Sequence, residues 1–131
     1  MLIDTSGWFC IFDEQDARHS AAATIYENTG QKITHSFVIA EFIALSEARK
    51  KHRREMLEFT HYLVTDSEVG IVWVDEGLNG EALALLRRRI DKEWSLCDAV
   101  SFILMENRNI VEALTTDHHF EQAGFVKLLE S

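Results

Sequence analysis

Apolar residues fall along this chain in two rhythms. Short runs at Met1–Ile3, Lys32–His35, Ile71–Val74, Val111–Thr116 and Phe125–Leu128 have the length and branched content of strands. Between them lie longer stretches with helical spacing. One runs from about Asp16 to Gly30, with Ala21, Ala22, Ile25 and Tyr26 as its apolar stripe. Another runs from Phe37 to Arg49, with Ser36 as its N-cap. Lys50–Leu63 should face Met56, Leu57, Phe59 and Leu63 inward, and Leu78–Trp94 should be helical, with Leu83, Leu85, Leu86 and Ile90 as its apolar residues. A helix headed by Ser95 and a short one opening near Asp117 complete the set, and Trp8–Phe12 reads as an apolar half-turn beneath a Thr5-Ser6-Gly7 turn. Strands alternating with helices predict one α/β domain over residues 1–131, with a central, mostly parallel sheet flanked by helices on both faces. Ligands of such sheets bind beyond the carboxyl ends of the strands, which is where Asp4 and Asp117 fall.

That placement makes the acids worth weighing one at a time. Asp4, in Asp-Thr-Ser, is good turn chemistry as well as a candidate ligand. Glu41 is the only charge between Phe37 and Leu45; a helix apolar all round is buried, so Glu41 is expected to need a proton, a partner or a metal ion unless it reaches solvent. Ser95 and Asp98 have the spacing of a capping box, and Asp117 could cap the helix that follows it. Capping and metal binding are compatible for Asp98, since both need the carboxylate at the helix head. Four carboxylates in one cleft repel unless protonated or bridged by cations. Oxygen donors of this kind select Mg²⁺ or Mn²⁺. Zinc fits less well: there is no CxxC, and the adjacent pair His118-His119 lacks the i, i+4 spacing that chelates on a helix. Both histidines read as solvated or packed at a helix start, with a weak role on phosphate as the alternative.

Composition narrows the class further. Of 131 residues 47% are hydrophobic and 27% charged, the balance of a folded soluble protein. A formal net charge of -9 argues against a basic nucleic-acid coat, though acids that hold metal ions count as negative until the metal arrives. Two cysteines, Cys10 and Cys97, are too few for a disulfide framework and suit a reduced, cytoplasmic protein. The start MLIDTSGW has neither a basic region nor a long apolar run, so no signal peptide is expected, and no stretch is long enough to predict a membrane span.

Four segments then carry a resemblance: LIDTS at Leu2–Ser6, SFVIAEFIAL around Glu41, SLCDAVSFILM at Ser95–Met105 and ALTTDHHFEQAGF at Ala113–Phe125. In this order and at this length the chain resembles PIN-domain ribonucleases, and among them the VapC-type toxins of bacterial toxin–antitoxin pairs. The resemblance covers Leu2 to about Leu128. It implies that Asp4, Glu41, Asp98 and Asp117 hold Mg²⁺ or Mn²⁺, with Ser6 and Thr115, or Thr116 in its place, in the polar surroundings. It implies hydrolysis of RNA phosphodiester bonds to a 5′-phosphate and a 3′-hydroxyl, with no side-chain nucleophile. It also implies a homodimer and a protein antitoxin that lays a helix in a groove. One departure is Cys97, where the family often has a small hydroxylated residue; it puts a supporting hydrogen bond in doubt, but no ligand.

Outside the acids, Arg49, Lys50, Lys51, Arg53 and Arg54 form the densest basic run, either a solvated helix junction or a rim contacting RNA phosphates. Trp8, Phe9, Phe12, Tyr62 and Trp94 could form a partner surface, with core packing expected for most. The alternatives to a toxin are a housekeeping RNA-processing or DNA nuclease on the same fold and a non-catalytic PIN-like binding module. A receiver or haloacid-type phosphatase fits worse: the former wants an acid pair at the end of the first strand, and the latter wants an aspartate where Ser6 stands.

Overall fold

The computed structural model describes residues 1–131. Five short strands alternate with seven helices: β1 (Leu2–Ile3), α1 (Thr5–Phe12), α2 (His19–Asn28), β2 (Ile33–His35), α3 (Ser36–Ala48), α4 (Arg53–Thr65), β3 (Gly70–Val72), α5 (Glu76–Arg88), α6 (Leu96–Asn107), β4 (Glu112–Leu114), α7 (His119–Gln122) and β5 (Val126–Lys127). The strands form one sheet in the order β3-β2-β1-β4-β5, and every pair is parallel. The order reverses direction between β1 and β4, and that switch point opens a crevice at the strand carboxyl ends.

Side chains alternate across the sheet, so each face builds its own core. Ile3 and Leu114 join Trp8, Phe9, Val38, Phe42, Met56 and Leu63 from α1, α3 and α4 on one face. Leu2 and Ala113 join Ala82, Ala99, Val100, Phe102, Met105 and Phe120 from α5, α6 and α7 on the other. The register Leu2↔Ala113 and Ile3↔Leu114 explains the pairing of these sets. His35 ties β2 to α6: its Nδ1 accepts from Val38 N at 3.4 Å as the cap of α3, and its Nε2 meets Ser101 Oγ at 2.8 Å. An Nδ1 that accepts leaves the proton on Nε2, so the ring is neutral, and burial lowers its pKa to about 4.

Several expectations are corrected. Thr5–Gly7 is no loop but the first turn of α1, which starts directly after Asp4. Gly7 permits this, because a Cβ there would lie 2.1 Å from the Leu114 carbonyl oxygen. His35 rather than Ser36 caps α3, and the Ser36 hydroxyl accepts from Val74 N at 2.9 Å instead. β3 ends at Val72, leaving Trp73 exposed. α5 stops at Arg88 rather than reaching Trp94: Lys92 N bonds Arg89 O in a turn, and Ile90 lies in solvent. α4 starts at Arg53 and leaves Leu57 partly exposed, and Ala21 of α2 faces outward. Trp8, Phe9 and Trp94 are core residues, whereas Tyr62 is exposed.

Candidate active site

Asp4 lines the crevice directly after β1. Its backbone N donates to Leu114 O at 3.2 Å, which continues the β1–β4 pairing by one step and sets its side chain against Thr115. Thr115 Oγ1 donates to Asp4 Oδ2 at 3.0 Å. The remaining bond directions follow by counting protons with Asp4 ionised. Thr115 has one hydroxyl proton and spends it on Asp4, so in the 3.1 Å contact between Ser6 Oγ and Thr115 Oγ1 the serine must donate. Ser6 Oγ in turn accepts from Thr116 N, and Thr115 Oγ1 also accepts from Asp117 N, both at 3.0 Å. The chain from Thr116 N–H through Ser6 and Thr115 to Asp4 thus points every proton towards the carboxylate, and bonds aligned in this way strengthen one another. Thr115 acts through its side chain and Thr116 through its backbone.

This chain is opposed by burial. Asp4 is 5% exposed. Desolvation pushes its pKa up to about 7, and the charges of Asp98 and Glu41 push the same way. The same burial pushes the Cys97 thiol up, with Glu41, Asp4 and Asp98 adding to the effect, so Cys97 is a thiol and not an anion.

Asp98 is buried at the head of α6 in the expected capping box: Ser95 Oγ accepts from Asp98 N at 3.0 Å, and Asp98 Oδ2 accepts from Ser95 N at 3.1 Å. The expectation for Glu41 is corrected. It is exposed, because the side of α3 that carries it holds Ala40 and Ala44, which are also exposed. Alanines counted as apolar here face outward rather than into the core. Glu41 faces a cleft of about 440 Å³, which it lines with Asp4, Thr5, Ser6, Thr116, Asp117 and His118. Asp98 is not in that wall. It sits beside Asp4 and connects to the cleft through a histidine expected to be merely solvated or packed.

That residue is His119. Its Nδ1 lies 3.0 Å from Asp98 Oδ2 and 3.5 Å from Asp117 Oδ2, so one ring bridges two acids. Asp117 Oδ1 accepts from His119 N at 2.9 Å, and this turn aims the ring. His118 and His119 are not two positions inside a helix, since α7 begins only at His119. Ligand atoms of Asp117, His118 and His119 therefore lie within 4.8 Å of one another, which corrects the view that the pair cannot converge. The sequence signal was Asp117-x-His119 just after a strand, which places the ring over its own aspartate.

The donor chemistry fits a divalent cation. Asp4 is a carboxyl held back from ionising first by burial and then by the charges of Asp98 and Glu41, and positive charge beside it would offset both. Thr5, in the cleft wall, has a buried Oγ1 with no hydrogen-bond partner, the kind of atom a bound water satisfies. Oxygen donors with an imidazole at the edge suit Mg²⁺ or Mn²⁺.

The basic run divides. Lys51 pairs with Asp13 at 3.0 Å and Arg53 pairs with Glu47. Arg53 and Arg54 line a separate depression with Leu57 and Glu58 on α4. Arg49 instead stacks on Phe9, its guanidinium carbon 4.1 Å from the ring centroid. Lys50 follows it with φ 54, the position that ends α3.

A model of the PIN domain family matches residues 1–126. The chain belongs to the PIN domain family. Its relatives include the 23S rRNA-specific endonuclease VapC20 from two strains of Mycobacterium tuberculosis, each 31% identical over 129 residues, covering 98% of this chain and 97% of the relative. The crystal structure of the M. tuberculosis protein VapC20, described as a sarcin–ricin loop cleaving toxin, superimposes with a TM-score of 0.87 at 28% identity, covering 96% of each chain. The all-parallel sheet and its flanking helices are thus those of a PIN domain, and the crevice at β1 and β4 is where this PIN domain gathers its acids.

Proposed function

We propose that this protein is an endoribonuclease and the toxin of a type II toxin–antitoxin pair, hydrolysing RNA with Mg²⁺ or Mn²⁺ held by Asp4, Glu41, Asp98 and Asp117. The observation that carries the reading is the buried Asp4 carboxyl, served by a directed hydrogen-bond chain and facing Glu41 and Asp117 across an open cleft. The whole-length similarity to VapC20 supports RNA as the substrate class.

When bound, the cation lowers the pKa of an attacking water and offsets the charge that builds on the phosphate oxygens. This chain's own residues do the rest. Thr115 and Ser6 fix the rotamer of Asp4 and favour its ionised form. Ser95 N and His119 hold Oδ2 of Asp98, which leaves Oδ1 without a protein donor and available to a ligand. His119 also draws the carboxylates of Asp98 and Asp117 towards one ring nitrogen, Nδ1, which ties the head of α6 to the end of β4. Ser6 in the cleft wall is bonded to Thr115 and to Thr116 N rather than to an imidazole, so its hydroxyl serves Asp4 and is not paired with a base.

The same reading includes a cytoplasmic protein that works as a homodimer and is restrained by an antitoxin. No helix is long and apolar enough to cross a membrane. A hollow of about 120 Å³ lined by Trp8, Ile11, Tyr26, Phe59, Tyr62 and Leu63 supports a partner that inserts an apolar side chain. The test is incubation with a labelled stem-loop RNA copying the sarcin–ricin loop of 23S rRNA, with Mg²⁺, with Mn²⁺ and with chelator. Metal-dependent cleavage leaving a 5′-phosphate is expected. Cleavage that persists in chelator, or leaves a cyclic phosphate, would overturn the mechanism.

A further inference from the structure

The acid cleft does not end at the acids. Ser6, Leu45 and Thr116 in its wall also line a recess of about 120 Å³ whose other walls are Phe9, Cys10, Arg18 and Arg49. At ~30 Å³ per water, that is room for a phosphate group. The recess has the opposite electrical character to the cleft. Its ionisable lining is Arg18, Arg49 and the buried Cys10, whose thiol burial pushes up. Arg18 is neutralised by Asp16, with Nε and Nη2 both at 3.0 Å from its carboxylate oxygens. Arg49 has no carboxylate partner and sits over the Phe9 ring. A guanidinium stacked on a ring is preorganised, with its donors free at the edge.

Helix geometry fixes how the two sites relate. Glu41, Leu45 and Arg49 stand at i, i+4 and i+8, so α3 and its C-cap present them along one face. Glu41 lines the cleft, Leu45 lines both spaces and Arg49 lines the recess. At ~1.5 Å per residue, Arg49 lies about 12 Å along the axis from Glu41. That is about three to four nucleotides of RNA, given ~3.4 Å per stacked residue of one strand. The larger depression beyond Arg49 mixes Lys50, Lys51 and His52 with Asp13, Glu14 and Glu55, and Lys51 is paired with Asp13, so Arg49 is the cation without a carboxylate partner that borders the recess.

We propose that Arg49, supported by Phe9, seats a backbone phosphate of the RNA about three to four nucleotides from the bond that is cut. The inference rests on the nuclease reading and extends it from the chemistry to the path of the substrate. A protein that is negative overall can then hold RNA by one placed cation beside its acids rather than by a basic surface.

The test is a scan. Copies of the sarcin–ricin loop RNA each carry one neutral methylphosphonate within four nucleotides of the cut bond. Wild type, Arg49→Ala, Arg49→Lys and the charge-matched surface control Arg108→Ala are compared for KM and kcat. Loss of one charged contact should raise KM for normal RNA about 5–20-fold in Arg49→Ala, with kcat within about twofold. The logarithmic salt dependence of binding should fall by ~0.7, the value for one single-strand phosphate contact. One methylphosphonate position should raise KM in wild type by a similar factor and add nothing in Arg49→Ala, and Arg49→Lys should recover part of the loss. Penalties that add at every position, or an Arg49→Ala protein matching Arg108→Ala, would overturn the seat. Weaker binding of a phosphate-free acidic peptide with unchanged RNA handling would assign the recess to a protein partner and also overturn it. If wild type cleaves nothing, the nuclease reading has failed, and the same scan read as affinity decides the seat separately.

Discussion

Asp4→Asn should stabilise the metal-free protein at pH 8 and not at pH 5, while abolishing cleavage. The Asp4 carboxyl titrates near 3.8 when solvated and at about 7 in the fold, chiefly through burial and then through the charges of Asp98 and Glu41. Between those two values the folded protein holds a proton that the unfolded chain has released. Stability therefore falls as pH rises through that window, and the loss is complete above the folded value. A window of about three units at ~1.4 kcal/mol each is roughly 4 kcal/mol. Asparagine carries no charge, and its carbonyl can still accept from Thr115, but its buried amide protons lose ~1–3 kcal/mol if they find no acceptor. The net gain at pH 8 is about 2 kcal/mol, or roughly 6–10 °C in Tm for a chain of this size. At pH 5 the wild-type carboxyl already holds its proton, so the variant should be level with it or slightly below. Thermal unfolding by circular dichroism in chelator, at both pH values, reads this directly. Excess Mg²⁺ should then raise the Tm of wild type more than that of Asp4→Asn. A variant that loses stability equally at both pH values would refute the idea that Asp4 stores repulsion for a cation to release.

Other substitutions separate the parts of the account. Thr115→Val removes the donor to Asp4 and should lower kcat about 10–100-fold, as loss of such supporting bonds does at metal sites; Thr116→Val keeps its backbone N–H and should stay within a few-fold in the same cleavage assay. Gly7→Ala should cost about 3 kcal/mol in urea unfolding, since its methyl would meet a backbone oxygen that cannot swing aside. His35 makes the opposite pH prediction to Asp4. Its pKa is about 4 in the fold against 6.5 when free, so its contribution is complete above the free value and is lost as pH falls through this window. The loss amounts to on the order of 3 kcal/mol, and chemical denaturation of wild type against His35→Gln should show it as a slope present only in wild type.

Much of this architecture was legible because its signals are local. Alternating short apolar runs and helical stripes marked the strands and most helices, and Ser95-x-x-Asp98 marked a helix start that the structure shows in full. The misses have physical causes. Thr5-Ser6-Gly7 reads as a turn by composition, but glycine stands there so that α1 can pass against the Leu114 carbonyl, a contact 107 residues away in sequence. Glu41 was expected inside because alanine counts as apolar, whereas Ala40 and Ala44 lie exposed beside it on the outer side of α3. Ile90 looked like helix core because periodicity does not see the turn at Arg89–Lys92. The convergence of Asp4 with Thr115 and Asp117 could be expected from strand ends alone. His119 could not, because its role depends on where α6 brings Asp98. Arg49 stood out from its basic neighbours only once Lys51 and Arg53 were seen to be paired.

The measurement that bears most directly on the acid-held cation is cleavage of labelled sarcin–ricin loop RNA by wild type and Asp98→Asn, each with Mg²⁺, Mn²⁺ or chelator. Asparagine can keep the capping contact to Ser95 N, so circular dichroism should show both proteins folded. The account predicts cleavage by wild type with metal alone and none by Asp98→Asn under any condition. Metal-dependent cleavage by a folded Asp98→Asn protein at the wild-type rate would contradict it.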